Sequence, residues 1–172
     1  ALDECLDTLS RSIGLTTGRG STQVEVRATQ ERTFEKKLIE KLKDRYLSTD
    51  SWERYGSDPG YQEKVNLVKR FLESASGAGY VLDVGANTAG ESEVLARFGH
   101  KMVPTDINEI ALGYSKIRAK KFRNQDLAYY AADAHCLPFA DDTFDKIVAF
   151  EVLHHMENVA AVLVELYRVL KP

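Results

Sequence analysis

Residues 81–92, "VLDVGANTAGES", decide how this chain is read: an apolar strand carrying Asp83 breaks into a glycine-containing turn that opens a helix. The apolar neighbours of Asp83 predict a strand buried on both faces. A carboxylate in that setting needs a partner or a ligand, because burial disfavours its charged form. Gly85 and Gly90 suit a tight strand-to-helix turn, as they would suit any such turn. The match to G-x-G-x-x-G is incomplete, since Asn87 stands at the second glycine position. Asparagine tolerates the left-handed backbone region better than most residues, so the turn can still form. A pyrophosphate is disfavoured there: backbone approach favours glycine at that position, and an anionic Asp83 repels phosphate. An uncharged or cationic ligand fits better.

Downstream, helix and strand signals alternate: ESEVLARFG helix, KMVPTD strand, NEIALGYSKIRAKKF helix, LAYYAAD strand, DKIVAFEV strand, VAAVLVELYRVL helix. This order predicts an α/β fold, an open, mostly parallel, doubly wound sheet with helices on both faces. Upstream, Val65, Val68, Leu72 and Ala75 line one side of a helix that SGAG stops. The connector STDSWERYGSDPG, 48–60, is turn-rich; its Trp52 and Tyr55, with Tyr61, read equally as a lid and as core. Phe34, Leu38, Leu42 and Tyr46 predict an amphipathic helix from Glu31, and Leu2, Leu6, Leu9 and Ile13 a short one before the loop GLTTGRGSTQ. The expected organisation is an N-terminal helical extension with a possible lid over 1–60, then a ligand-binding sheet domain over 61–172.

Composition narrows the classes. With 172 residues, 44% of them hydrophobic and 28% charged, the chain can bury a core and is not largely disordered. A net charge of −3 gives no electrostatic reason to expect nucleic acid or an anionic membrane as partner. No apolar run is long enough to span a bilayer, and the N-terminus lacks a signal-peptide pattern, so cytoplasm is the expected location. Cys5 and Cys136 form no CxxC and indicate neither a disulfide framework nor a zinc ribbon, which suits a reducing compartment. His135, Cys136, His154 and His155 lack metal-ligand spacing, so no metal is expected. The basic run KIRAKKFR, 116–123, reads as a solvated helix end that complements the helix dipole.

Ligands of open parallel sheets bind beyond the carboxyl ends of the strands, near the place where strand order reverses. The ends here offer Asp83 and Gly85, then Asp106, then Asp133, then Glu151, His154 and His155. Asp106 follows Asp83 by 23 residues (106 minus 83). That is close to the interval of ~20 residues at which a carboxylate meets ribose hydroxyls in dinucleotide folds. A ribose-bearing cofactor is therefore expected.

From about Tyr61 to Pro172 the chain resembles the class I (Rossmann-like) S-adenosylmethionine-dependent methyltransferases of small-molecule type. VLDVGANTAG is similar to that family's VLDVGCGTG, keeping Val81, Leu82, Asp83, Val84, Gly85 and Thr88 and departing at Ala86, Asn87 and Ala89. AADAHCLPFADDTFDKIVAFEVLHHM, 131–156, resembles "GDAxxLPFxDxSFDxVxxxxxLHHL", and the closing RVLKP resembles "RVLKPGG". The resemblance implies methyl transfer from S-adenosylmethionine, leaving S-adenosylhomocysteine, to a small-molecule acceptor. Gly85, Ala86 and Asn87 would line the methionyl portion, with Asp83 near its ammonium. Asp106 would accept both ribose hydroxyls, Ile107 would pack on the adenine, Asp133 would accept from the adenine amino group, and Ala134 would offer backbone contacts. Glu151 would face cofactor or substrate. Glu151, His154 and His155 are the candidate bases if the acceptor is a hydroxyl or a phenol. The resemblance also implies about seven strands, so that the C-terminal strands are missing from this chain and DKIVAF is left as an apolar edge. Two other readings stand beside it. The altered turn motivates a non-catalytic methyltransferase-like module acting through a protein partner. A nicotinamide-dependent oxidoreductase is disfavoured by Asp83 and by the 131–156 stretch.

Overall fold

The structure, a computed structural model, describes residues 43–44, 47–74, 79–122 and 127–172. The chain divides into two compact units, Ala1–Lys43 and Asp44–Pro172. The helices expected over 2–13 and 31–46 and the loop between them lie, but for Lys43 and Asp44, outside the described residues.

The second unit opens with α1 (Ser51–Ser57), capped by the Asp50 carboxylate, which accepts from the Trp52 amide at 3.2 Å. Helix α2 (Pro59–Ser74) follows, with Pro59 at its first position and Tyr61, Val65 and Leu72 on its buried side. Then come β1 (Tyr80–Val84), α3 (Gly90–Arg97), β2 (Lys101–Asp106) and α4 (Glu109–Phe122). The chain continues through β3 (Tyr130–Ala131), β4 (Lys146–Val148), a 3-10 turn over Leu153–His155, and α5 (Val159–Val169). All the strands are parallel, in the order β3-β2-β1-β4. The α/β expectation therefore holds, and no helix among the described residues is long and apolar enough to cross a membrane.

Alternation along β1 builds the core on both faces. Val81 joins Tyr61, Val65, Val94 and Met102 on one side. Leu82 and Val84 join Phe144, Val162, Leu166 and Val169 on the other. The same period turns Asp83 toward α3, where Ser92 meets it. Trp52 and Tyr55 stack 5.4 Å apart and each lies against Phe98, while Tyr61 is buried. All three aromatics thus pack against the core.

Two strands are shorter than the sequence suggests. LAYYAAD supplies two paired residues, Tyr130 and Ala131, opposite Thr105 and Asp106. Pro104 gives the reason. The carbonyl of Thr105 accepts from Ala86 on the β1 side and that of Asp106 accepts from Ala132 on the β3 side. Backbone groups alternate sides along a strand, so Pro104 faces β3, where it has no N–H to offer and pairing cannot start earlier. DKIVAFEV pairs only over Lys146–Val148, opposite Val81–Asp83. Glu151 then takes φ = 51° and the chain leaves the sheet.

Candidate functional site

The strand order puts the reversal between β1 and β4: from β1 the chain moves to β2 and β3 on one side, then returns to β4 on the other. The strand ends carry, in spatial order, Asp133, Asp106, Asp83 and Glu151, so the four carboxylates read from the sequence form one row along a single rim of the sheet.

Asp83 is 1% exposed. Its Oδ2 accepts from the Ser92 hydroxyl at 2.7 Å, and its Oδ1 is buried without a hydrogen-bond partner. Burial pushes its pKa up to about 7; Ser92 opposes that, and the nearby Glu91 and Asp106 charges add to it. A carboxylate in this state gains from any donor or cation that reaches it.

The turn after Asp83 is built from left-handed residues: Gly85 at φ = 67°, Asn87 at 50° and Ala89 at 49°. Gly85 is required twice over, by its φ and by Val152, because a Cβ at Gly85 would come within 2.1 Å of a Val152 methyl. Ala89 pays the steric cost that glycine avoids, about 1–2 kcal/mol, and Asn87 a smaller one. Hydrogen bonds hold them there. The Ala86 amide donates to Thr105 O at 2.8 Å, the Ala89 amide to Ala86 O at 2.7 Å, and the Asn87 amide to Asp106 Oδ2 at 2.7 Å.

Asp106 is thus fastened to both neighbouring segments, its Oδ1 accepting from the Asn108 amide at 2.7 Å. Helix α4 is capped by Asn108, whose Oδ1 accepts from Ile110 and Ala111. Each Asp106 oxygen keeps a second lone pair, so the group can still receive two hydroxyl protons. Burial raises its pKa, and the two amides oppose the rise. Ile107, next along, is 57% exposed at the rim.

Asp133 Oδ1 accepts from the His135 amide at 2.9 Å and lies 2.7 Å from His135 Nδ1, which shapes the turn carrying Ala134. Ala134 packs against the core face that holds Leu82 and Val84. Cys136 is disulfide-bonded, where the cysteine spacing indicated no disulfide. Glu151 is exposed, and Lys64 of α2 reaches between it and Glu91, 4.0 Å from the first and 2.6 Å from the second. His154 and His155 sit in the 3-10 turn with ring centroids 4.0 Å apart, both exposed. Among the described residues, no group of three or more His, Cys, Asp or Glu is arranged to hold a metal ion.

The structure thus joins Asp83, Gly85, Ala86, Asn87 and Asp106 in one bonded frame, while Glu151 stays outside it, exposed and 4.0 Å from Lys64. Sequence reasoning missed Lys64, Glu91, Val152 and, above all, Arg118. The run 116–123 was expected to be a solvated helix end, yet Arg118 is 3% exposed. Its guanidinium lies 2.8 Å from buried Glu93 and donates to the Thr88 carbonyl. Ala111, Leu112, Ser115 and Ala119 are the other buried positions of α4. Their helical spacing was the signal that position 118 faces inward.

Three comparisons bear on this frame. The family model described as "Methyltransferase domain" matches residues 82–172. Demethylmenaquinone methyltransferase of Streptomyces avermitilis is 33% identical over 135 residues, covering 78% of this chain and 54% of that protein. Sterol 24-C-methyltransferase of Saccharomyces cerevisiae is 34% identical over 94 residues, covering 54% of this chain and 24% of that protein. Among solved structures, the PH0226 protein of Pyrococcus horikoshii superposes with a TM-score of 0.59 at 28% identity, covering 67% of this chain and 56% of that one. The chain spans about half the length of the curated bacterial relatives it matches.

Proposed function

The chain belongs to the methyltransferase-domain family, and on that premise we propose that the rim of its sheet binds S-adenosylmethionine and that the protein transfers the donor's methyl group to a small-molecule acceptor. The observation that carries the reading is the row of carboxylates at the strand reversal. One of them, Asp83, is buried with an oxygen that lacks a donor. Such a rim repels a phosphate-bearing dinucleotide and suits a ligand with an ammonium, a sulfonium and sugar hydroxyls.

The residues present fit that donor. Asp83 would take its ammonium, the Gly85–Asn87 turn its methionyl portion, and Asp106 its ribose hydroxyls. Ile107, Asp133 and Ala134 would hold its adenine. The bound donor supplies an activated methyl group on a good thioether leaving group. The protein's share is then to orient the partners and exclude water. Glu151, His154 and His155 stand at the open end of the rim as bases for a hydroxyl or phenol acceptor. An amine or thiolate would need none. The names of the quinone and sterol relatives support a small acceptor.

Isothermal calorimetry with S-adenosylhomocysteine tests the reading. Saturable binding is expected in the parent protein, and Asp106→Asn is expected to weaken it by about tenfold or more, the equivalent of roughly one charged hydrogen bond. Absence of binding at millimolar ligand would instead favour the non-catalytic module.

A further inference from the structure

The turn between β1 and α3 poses a mechanical problem that a glycine-rich turn would not have. Asn87 and Ala89 both sit in the left-handed region, at φ = 50° and 49°, with Thr88 between them. Ala89 has no side-chain hydrogen bond to excuse the conformation and is fully buried. Its amide donates to Ala86 O at 2.7 Å and its carbonyl accepts from the Glu93 amide at 3.0 Å, and a grip from outside the turn adds to these. The Asn87 side has its hold in the bond from its amide to Asp106. The Ala89 side has Arg118, which reaches across from α4 to the Thr88 carbonyl.

Arg118 is itself locked. Its Nε and Nη2 donate to the two oxygens of Glu93 at 3.1 and 2.8 Å. Glu93 in turn accepts from the Ser51 hydroxyl at 2.8 Å and the Ser115 hydroxyl at 2.9 Å. The carboxylate and guanidinium side chains are 1% and 4% exposed. This buried pair has both carboxylate oxygens engaged twice. The arrangement needs a guanidinium, since only its rigid fork presents several N–H groups to a carboxylate and a carbonyl at once.

We infer that Arg118 is a positioning residue for the donor-binding turn: anchored on Glu93, it grips the Thr88 carbonyl and keeps Ala89 in a conformation that alanine otherwise avoids. The inference deepens the proposed function and rests on the donor reading. It explains how this chain does without glycine at positions 87 and 89. The hold comes from α4, beyond α3 and β2 in the chain.

A four-protein cycle tests it: the parent, Arg118→Lys, Ala89→Gly, and the two together. Lysine keeps a positive charge beside Glu93 but cannot reach both the carboxylate and the carbonyl. Glycine removes the steric cost at position 89, so the turn no longer needs the grip. Arg118→Lys is expected to weaken S-adenosylhomocysteine binding by about tenfold in the parent and by less than about twofold in the Ala89→Gly background. Amide exchange at residues 87–90 is expected to speed up in the first case and not in the second. Equal losses in both backgrounds would overturn the inference, because a merely structural Arg118 lowers stability whatever stands at 89. No loss in either background would overturn it too. If Arg118→Lys does not fold, the joint Glu93→Gln/Arg118→Gln change, which removes both buried charges together, takes its place in the cycle. The exchange readout separates the two claims. A parent that fails to bind S-adenosylhomocysteine, yet shows the exchange pattern, refutes the donor reading and leaves the grip of Arg118 standing.

Discussion

At the scale of single residues, Asp83 is where burial and chemistry oppose each other. Its ordinary pKa lies near ~3.9, and burial in the folded protein raises it to about 7. Between those values the native state holds a proton that the unfolded chain has lost. Asp83 therefore costs stability as pH rises from about 4 to about 7, and the cost levels off above that. Relative to Asp83→Asn, the parent is expected to lose up to roughly 1.4 kcal/mol per pH unit across that window. Urea unfolding at a series of pH values measures it; parallel curves for the two proteins would contradict the raised pKa. A donor ammonium favours the charged carboxylate, so donor affinity should rise with pH up to about 7 in the parent and rise less steeply in the variant. Asp83 and Asp106 were legible in the sequence because each falls at the end of an apolar strand. The bonds from the Asn87 and Asn108 amides to Asp106 were not, because they depend on how two loops approach each other.

At the scale of elements, the site depends on a close approach between segments far apart in the chain. Val152, just past β4, packs against Gly85 at the end of β1. Gly85→Ala should therefore be damaging for two separable reasons, a collision and an unfavourable φ. We expect it to destabilise the protein by roughly 2–4 kcal/mol. Adding Val152→Ala should restore the collision part and leave the φ part, and chemical denaturation of the single and double variants reads both. Full recovery would mean that the backbone at Gly85 is not strained for alanine. The elements themselves were well marked by periodicity, as the buried positions Val162, Leu166 and Val169 of α5 show. Strand lengths were less so. LAYYAAD and DKIVAFEV have strand composition throughout, but a strand extends only as far as its neighbour can pair, and Pro104 and the turn at Glu151 set those limits.

At the scale of the molecule, a ligand that binds only the folded sheet adds its binding free energy to stability. With S-adenosylhomocysteine at one hundred times its dissociation constant the gain is about 2.7 kcal/mol. The thermal midpoint should then rise by roughly 5 °C or more. A tenfold weaker Asp106→Asn should keep only about half of that gain, about 1.4 kcal/mol, at the same ligand concentration. A rise undiminished by the substitution would place the ligand elsewhere. The two-faced packing around β1 makes this coupling possible, since the strand that carries Asp83 contributes Val81 to one core and Leu82 and Val84 to the other.

The order of elements, the parallel sheet and the acidic strand ends were determined by the sequence alone, because periodicity and turn chemistry are local properties. Which basic residue is buried, how Asn87 and Ala89 are held, and what closes over Gly85 were decided only by tertiary structure. Each depends on groups 19 to 67 residues apart, as with Asn87 and Asp106, Thr88 and Arg118, or Gly85 and Val152. A backbone conformation that is unfavourable on its own persists when distant groups over-determine it, and no local pattern records where those groups come from.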